Sequence, residues 1–114
     1  MKTYCFDIDG TICTISVDDY SKARPFKERI NLINKLHDEG NKIVLHTARG
    51  SLTGINQKQL TIKQLDEWNV KYDEIVFGKP AADYYIDDKA SDVFGWFEKI
   101  VNKKNNYLSQ EKIL

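Results

Sequence analysis

Cys5-Phe6-Asp7-Ile8-Asp9-Gly10-Thr11-Ile12 is the stretch from which the rest of the chain can be read. Cys5, Phe6 and Ile8 are apolar and suit a short buried strand, so Asp7 and Asp9 fall at its C-terminal end, where open α/β sheets bind ligands. Alternation along a strand has a period of two, which puts both carboxylates on one side. Two like charges that close repel, and the pair is tolerable if a cation sits between them or if one holds a proton. An Asp-x-Asp-Gly run also opens calcium loops. The twelfth position counted from Asp7 is Asp18, but the intermediate ligands and flanking helices of such a loop are missing.

Working outward, residues 12–25 are polar and without period and read as a loop or small flap. Pro25 suits the first turn of a helix in which Phe26, Ile30, Ile33, Leu36 and His37 recur at helical spacing, with Gly40 as its stop. Ile43-Val44-Leu45 is a continuous apolar run of strand length, so the first two strands form a parallel βαβ unit. That strand ends in His46-Thr47-Ala48-Arg49-Gly50, and alternation turns His46 away from the side that Thr47 faces. A second helix is expected over about 56–68, with Ile55, Leu60, Leu65 and Trp68 inward, although Ile62 blurs the stripe. Glu74-Ile75-Val76-Phe77 reads as a third strand ending at Gly78-Lys79-Pro80, and Tyr84-Tyr85-Ile86 as a fourth ending at Asp87-Asp88. A third helix is expected over 90–101, followed by a polar tail over 102–114. The fold class is therefore α/β: three layers, Rossmann-like, with a mostly parallel central sheet in a single domain spanning 1–114.

Composition narrows the function. At 114 residues the chain holds one core, and 17 Lys plus Arg balance 17 Asp plus Glu. The longest basic block is Lys103-Lys104, so the footprint of a nucleic-acid binder is not expected. Without a long apolar run or a signal-peptide pattern, a cytoplasmic protein with no membrane partner is expected. Cys5 and Cys13 are too few for a disulfide framework or zinc site and read as buried thiols.

Asp7-Ile8-Asp9-Gly10-Thr11, Thr47, Lys79 and Asp87/Asp88 follow one another at the ends of four strands. In order and context they resemble the four signatures of the haloacid dehalogenase superfamily of aspartate-nucleophile phosphohydrolases, over roughly residues 3–97. The resemblance implies that Asp7 is the nucleophile of a phosphomonoesterase that forms an aspartyl-phosphate. It implies Mg²⁺ held by Asp7, the backbone carbonyl of Asp9 and Asp88, with Asp87 and Asp92 as supporting groups. Asp88 is preferred to Asp87 because Asp88 and Asp92 reproduce the Asp-x-x-x-Asp form of the last signature. The side chain of Asp9 would serve as acid and then base. Thr47, Lys79 and the backbone after Asp7 and Thr47, at Ile8, Gly10 and Ala48, would hold the phosphate. Physical reasons stand beside these roles: a carboxylate approaches a phosphate dianion only if cations cancel the repulsion, and a divalent metal with a lysine does so.

Arg49, two residues beyond Thr47, is a candidate bidentate clamp on substrate, and Asp18, Asp19, Tyr20 and Arg24 are candidates only through their place in the flap. The wording Thr47-Ala48-Arg49-Gly50 and Gly78-Lys79-Pro80-Ala81-Ala82-Asp83 is similar to small bacterial members linked to capsular polysaccharide biosynthesis. That implies a small phosphorylated metabolite, such as a sugar, polyol or amino-alcohol phosphate. Transfer to another acceptor, as in a mutase or phosphotransferase, and a non-catalytic phospholigand-binding module are the alternatives. The segments between signatures leave no room for a cap domain. A homo-oligomer is therefore expected, in which residues 12–24, 51–55 or 102–114 of a neighbour cover the site.

Overall fold

Three runs rich in β-branched and aromatic residues pair as a parallel sheet in the computed structural model, which describes residues 1–16 and 18–100. They are β1 (Thr3–Asp7), β2 (Lys42–Thr47) and β3 (Glu74–Phe77), in the order β1-β2-β3. Phe6 lies opposite Leu45 and Leu45 opposite Ile75, while Asp7 pairs with His46 and Thr47 with Phe77. The C-terminal ends of all three strands thus meet at one edge. Ile43, Leu45 and Thr47 are buried and Lys42, Val44 and His46 only half-buried, the period-two pattern of a strand packed more tightly on one face. Full burial of Leu45 alone contributes about 2 kcal/mol.

The connections are α1 (Lys27–Asp38) between β1 and β2 and α2 (Lys58–Glu67) between β2 and β3. α1 buries Ile30 and Ile33, as expected, and Gly40 stops it at φ +94° while Asn41 N–H closes back on Leu36 O. Its start differs: Pro25 is not in the first turn, and Phe26 is the N-cap. Pro25 is taken instead by an antiparallel bridge with Cys13, flanked by Thr14 N–H to Arg24 O at 2.9 Å and Phe26 N–H to Ile12 O at 2.8 Å. A proline lacks the N–H that a helix interior needs and tolerates such an edge position. The flap is therefore pinned at its base, and Tyr20–Lys22 form a short 3₁₀ turn capped by Asp19.

In α2 the buried residues are Thr61, Gln64 and Leu65, whereas Ile55 lies outside the helix and is exposed. Leu60 and Trp68 are half-buried. An inward face with two polar residues out of three departs from the expected apolar stripe, and the reason lies in the site described below.

The chain divides into two compact units, Met1–Ala82 and Asp83–Leu114. In the second, Tyr84-Tyr85-Ile86 is not a strand: all three are exposed and among the described residues the sheet has three strands. β-propensity in so short a run yields a strand only where a ladder partner is at hand. The last helix begins at 93 rather than 90. Asp92 accepts the Gly95 N–H at 3.0 Å as its cap, and Asp87 holds the preceding turn through the Lys89 N–H at 2.8 Å. Within 93–100, Phe97 is buried and meets Trp96 edge-on at 4.9 Å. The tail 102–114 lies outside the described residues. Among the described residues no helix is long and apolar enough to cross a membrane.

At the opposite end of the sheet Asp73 accepts the Ile43 N–H at 2.8 Å and meets His37 Nε2 at 3.1 Å. The Ile43 amide foremost, with His37, holds the Asp73 carboxyl below the usual carboxylate range. A carboxyl whose pKa is lowered by folding contributes stability that is present above its unfolded pKa and lost as pH falls through the folded value. Thermal unfolding followed from pH 7 down to pH 3 is therefore expected to show a shallower acid-side fall in Tm for Asp73→Asn than for the wild type.

Candidate functional site

Asp7 is the last residue of β1, and its side chain is 35 % exposed at the edge where the strands end. Lys79 Nζ stands 3.3 Å from Asp7 Oδ1, with the lysine side chain only 11 % exposed. The lysine is placed by the backbone: Gly78 takes φ +94°, and Lys79 N–H donates to Thr47 O at 3.1 Å, carrying the β2–β3 ladder one step beyond Phe77. His46, expected to face away, is opposite Asp7 in register. Burial, then the Lys79 charge, hold the His46 imidazole below its usual range.

Asp9 has a cation of its own. Arg49 Nε reaches Asp9 Oδ2 and Nη2 reaches Asp9 Oδ1, each at 2.9 Å, a two-pronged charge-assisted pair. The guanidinium is fully buried and Asp9 is 20 % exposed. The other side of the fork, Nη1, donates to Gln64 Oε1 at 2.5 Å and to Thr61 Oγ1 at 3.2 Å. These two bonds explain the polar inner face of α2, since a buried arginine must have its donors satisfied. Gln64 Nε2 in turn donates to Tyr20 O at 2.6 Å, and the Tyr20 ring lies 4.7 Å from Arg49 Cζ. Arg49, expected to clamp substrate, thus has its fork occupied by Asp9, Gln64 and Thr61.

The turn between these acids is tight. Thr11 N–H and Ile12 N–H both donate to Ile8 O, and Gly10, at φ +82°, donates its N–H to Cys13 O at 2.8 Å. The Gly10 amide expected to face phosphate is therefore engaged within the turn. Arg29 Nη1 fastens the same turn from α1 through Gly10 O at 3.3 Å and Thr11 O at 3.2 Å. After β2, Thr47 is fully buried and its hydroxyl oxygen accepts the Arg49 N–H at 3.0 Å, which keeps the hydroxyl proton available to donate. Ala48 O accepts the Ser51 N–H at 2.9 Å, and Gly50, at φ +83°, allows the reversal: a Cβ there would run into the carbonyl oxygen of Ile55. Ser51 Oγ donates to Lys79 O at 2.7 Å, tying this loop to the lysine's own backbone.

Asp87, Asp88 and Asp92 belong to the second unit. Asp92 caps its helix and Asp87 its turn, and the Lys89 amide, then Asp88, hold the Asp87 carboxyl below the usual range. Asp88 is exposed. Within the first unit, the Asp7 carboxylate is a hard oxygen donor half-exposed at the strand edge, of the kind that Mg²⁺ takes. Among the described residues no three His, Cys, Asp or Glu side chains gather as a metal cluster, and a set with one backbone carbonyl does not call for three.

Tyr20, Arg29, Thr61 and Gln64 carry structural duties around the site that the sequence reading did not assign. Thr61 and Gln64, three positions apart amid an otherwise apolar spacing, were the available signal of a buried polar partner.

No protein-family model matches the chain, and no curated protein matches it. A crystal structure of a protein from Vibrio cholerae is similar with a TM-score of 0.76 at 32 % identity, over 83 % of this chain and 86 % of that one. D,D-heptose 1.7-bisphosphate phosphatase from B. bronchiseptica, solved with magnesium and phosphate, gives a TM-score of 0.51 at 19 % identity, over 92 % of this chain and 64 % of that one. A chain of the Pnkp1/Rnl/Hen1 complex gives 0.57 at 18 % identity, over 76 % of this chain and 31 % of that one.

Contrary to the sequence reading, Cys5 is exposed, whereas Cys13 is buried with its Sγ 3.5 Å from Asp9 Oδ1. Burial, then the Asp9 charge, push the Cys13 thiol up to about 12. Burial also raises the Cys5 thiol, but Cys5 is open to reagent and Cys13 is not, so iodoacetamide treatment of the folded protein at pH 8 is expected to label Cys5 and spare Cys13, read by peptide mass spectrometry.

Proposed function

Because the chain belongs to one family with the Vibrio cholerae protein and has the fold of the haloacid dehalogenase phosphatases, we propose that it is a Mg²⁺-dependent phosphomonoesterase with Asp7 as nucleophile. The observation that carries this reading is the half-exposed Asp7 carboxylate facing Lys79 at 3.3 Å on the C-terminal edge of a parallel sheet. A bound Mg²⁺ would be held by Asp7, Asp9 O and Asp88 and would supply charge cancellation between the nucleophile and the phosphate dianion.

This chain's own residues would do the rest. Asp7 Oδ forms a bond to phosphorus as the bond from phosphorus to the leaving oxygen breaks, and that oxygen takes its proton from the Asp9 carboxyl. Water then attacks phosphorus and gives a proton to the Asp9 carboxylate. The bond from phosphorus to Asp7 breaks, inorganic phosphate leaves, and both acids return to their starting state. Lys79 balances charge on Asp7 and the phosphate, while the Thr47 hydroxyl and the amides at Ile8 and Ala48 are donors for its other oxygens.

With 4-nitrophenyl phosphate and Mg²⁺ the protein is expected to release free phosphate. Asp7→Asn should lower turnover by about 10³-fold or more with the circular dichroism unchanged, and EDTA should stop turnover until Mg²⁺ is restored. Retained turnover in Asp7→Asn overturns the nucleophile. Phosphate passed in stoichiometric amount to an added alcohol, with none released, turns the reading to a phosphotransferase.

The natural substrate in this reading is a small phosphorylated metabolite, a sugar, polyol or amino-alcohol phosphate of surface polysaccharide synthesis, handled in the cytoplasm. The heptose bisphosphate phosphatase likeness puts sugar phosphates first in a screen. The reading also includes a homo-oligomer without a cap domain. It is supported by the short connections, each a loop and one α-helix, and by apolar side chains exposed on the flap and on the loop after β2: Ile15 at 72 %, Leu52 at 86 % and Ile55 at 60 %. Light scattering at micromolar protein is expected to give a multiple of the 13.2 kDa chain mass; a monomer that hydrolyses a sugar phosphate efficiently sinks this part.

A further inference from the structure

Arg49 is buried in the first unit with its side chain closed off from solvent. Two prongs hold both oxygens of Asp9, the third nitrogen holds Gln64 and Thr61, and the guanidinium face is covered by Tyr20 of the flap. The Gln64 amide completes a circuit, accepting from Arg49 with its oxygen and donating with its nitrogen to the Tyr20 carbonyl. A fork of this shape fixes the plane of the carboxylate it grips, which a single point charge does not. The circuit therefore joins the flap, helix α2 and the Asp9 side chain into one geometric unit.

We propose that Arg49 is the positioning residue for Asp9, and that Tyr20 of the flap, through its ring and its carbonyl, is the piece that seats Arg49. Arg49 does not touch substrate in this scheme; it acts through Asp9. The proposal rests on the phosphatase reading above, in which Asp9 serves both half-reactions. It separates those half-reactions experimentally, because 4-nitrophenolate leaves without needing a proton, whereas the attacking water must always give one up. Misplacing Asp9 then spares formation of the aspartyl-phosphate from an activated aryl ester and slows its hydrolysis.

The test uses Arg49→Lys, which keeps the charge and loses the fork, since Arg49→Ala would leave Asp9 without its cation and risks the fold. With 4-nitrophenyl phosphate, kcat is expected to fall about 30-fold to 100-fold and KM with it, so that kcat/KM stays within about 3-fold. Stopped flow should show a burst of about one nitrophenolate per folded site ahead of the slow turnover. Tyr20→Ala should give the same split at about 3-fold to 10-fold, and Tyr20→Phe should restore most of that loss, because the hydroxyl takes no part. A fall in kcat/KM of more than about 10-fold means that Arg49 grips substrate and overturns the proposal. Turnover per folded site equal to that of the wild type, with no burst ahead of it, means a merely structural role and overturns it too. Independently of turnover, the Arg49 Nε–H resonance in a ¹⁵N spectrum is expected to shift in Asp9→Asn and in Tyr20→Ala. If it moves in neither, the inference fails alone. If it moves but the wild type hydrolyses no phosphate ester, the phosphatase reading fails and takes the inference with it.

Discussion

Two carboxylates two residues apart at the end of one strand repel each other, and the site is arranged around separating that repulsion. The protein gives each acid a cation from a different element. Lys79, delivered by the end of β3, faces Asp7 at 3.3 Å; Arg49, delivered by the end of β2, holds Asp9 through two bonds of 2.9 Å. The two cations differ as the acids do. A lysine ammonium is a compact point charge on a flexible stem, and it accompanies the carboxylate that is left partly open. A guanidinium fixes orientation, and it accompanies the acid that is more enclosed. Much of the surrounding structure follows from burying that arginine, including Thr61 and Gln64 on the inner face of α2 and the folding of the flap over it. Removing one partner of a buried pair of this kind costs about 3–5 kcal/mol, because the other is left as an uncompensated charge.

The parallel sheet, the two crossover helices and the placing of Asp7, Thr47 and Lys79 at strand ends were legible because each rests on a local signal: apolar runs of strand length, helical spacing, a glycine stop and polar residues where a run ends. The errors have physical causes of the same kind. Pro25 suits a helix start, but the antiparallel bridge to Cys13 claimed it first. Tyr84-Tyr85-Ile86 has the composition of a strand, and composition does not create a ladder partner. The last helix begins at 93 rather than 90, because Asp92 accepts the Gly95 N–H and caps it there.

Arg49 is the instructive case. Its type and its distance from Thr47 suggested a clamp on substrate, whereas its fork is taken by Asp9, Gln64 and Thr61. Its partners lie 40 residues before it and 12 and 15 residues after it, and no spacing rule connects such positions. Only the register of β1 on β2, which sets the two strand ends side by side, brings Asp9 and Arg49 to one place.

The separate pairing of the acids has a consequence for how a dianion is captured. Lys79 cancels Asp7 and Arg49 cancels Asp9, and the chain as a whole carries no net formal charge. On the proposed reading, a phosphate ester diffusing toward this edge would meet a pair of dipoles rather than a positive field, with little long-range steering acting on it. In the phosphatase reading proposed above, the surplus positive charge for firm capture would arrive with a further cation. By linkage, whatever factor that cation adds to the affinity for the dianion, the dianion adds to the affinity for the cation. The two ligands are therefore expected to enter this site as cooperating species, each a poor guest alone.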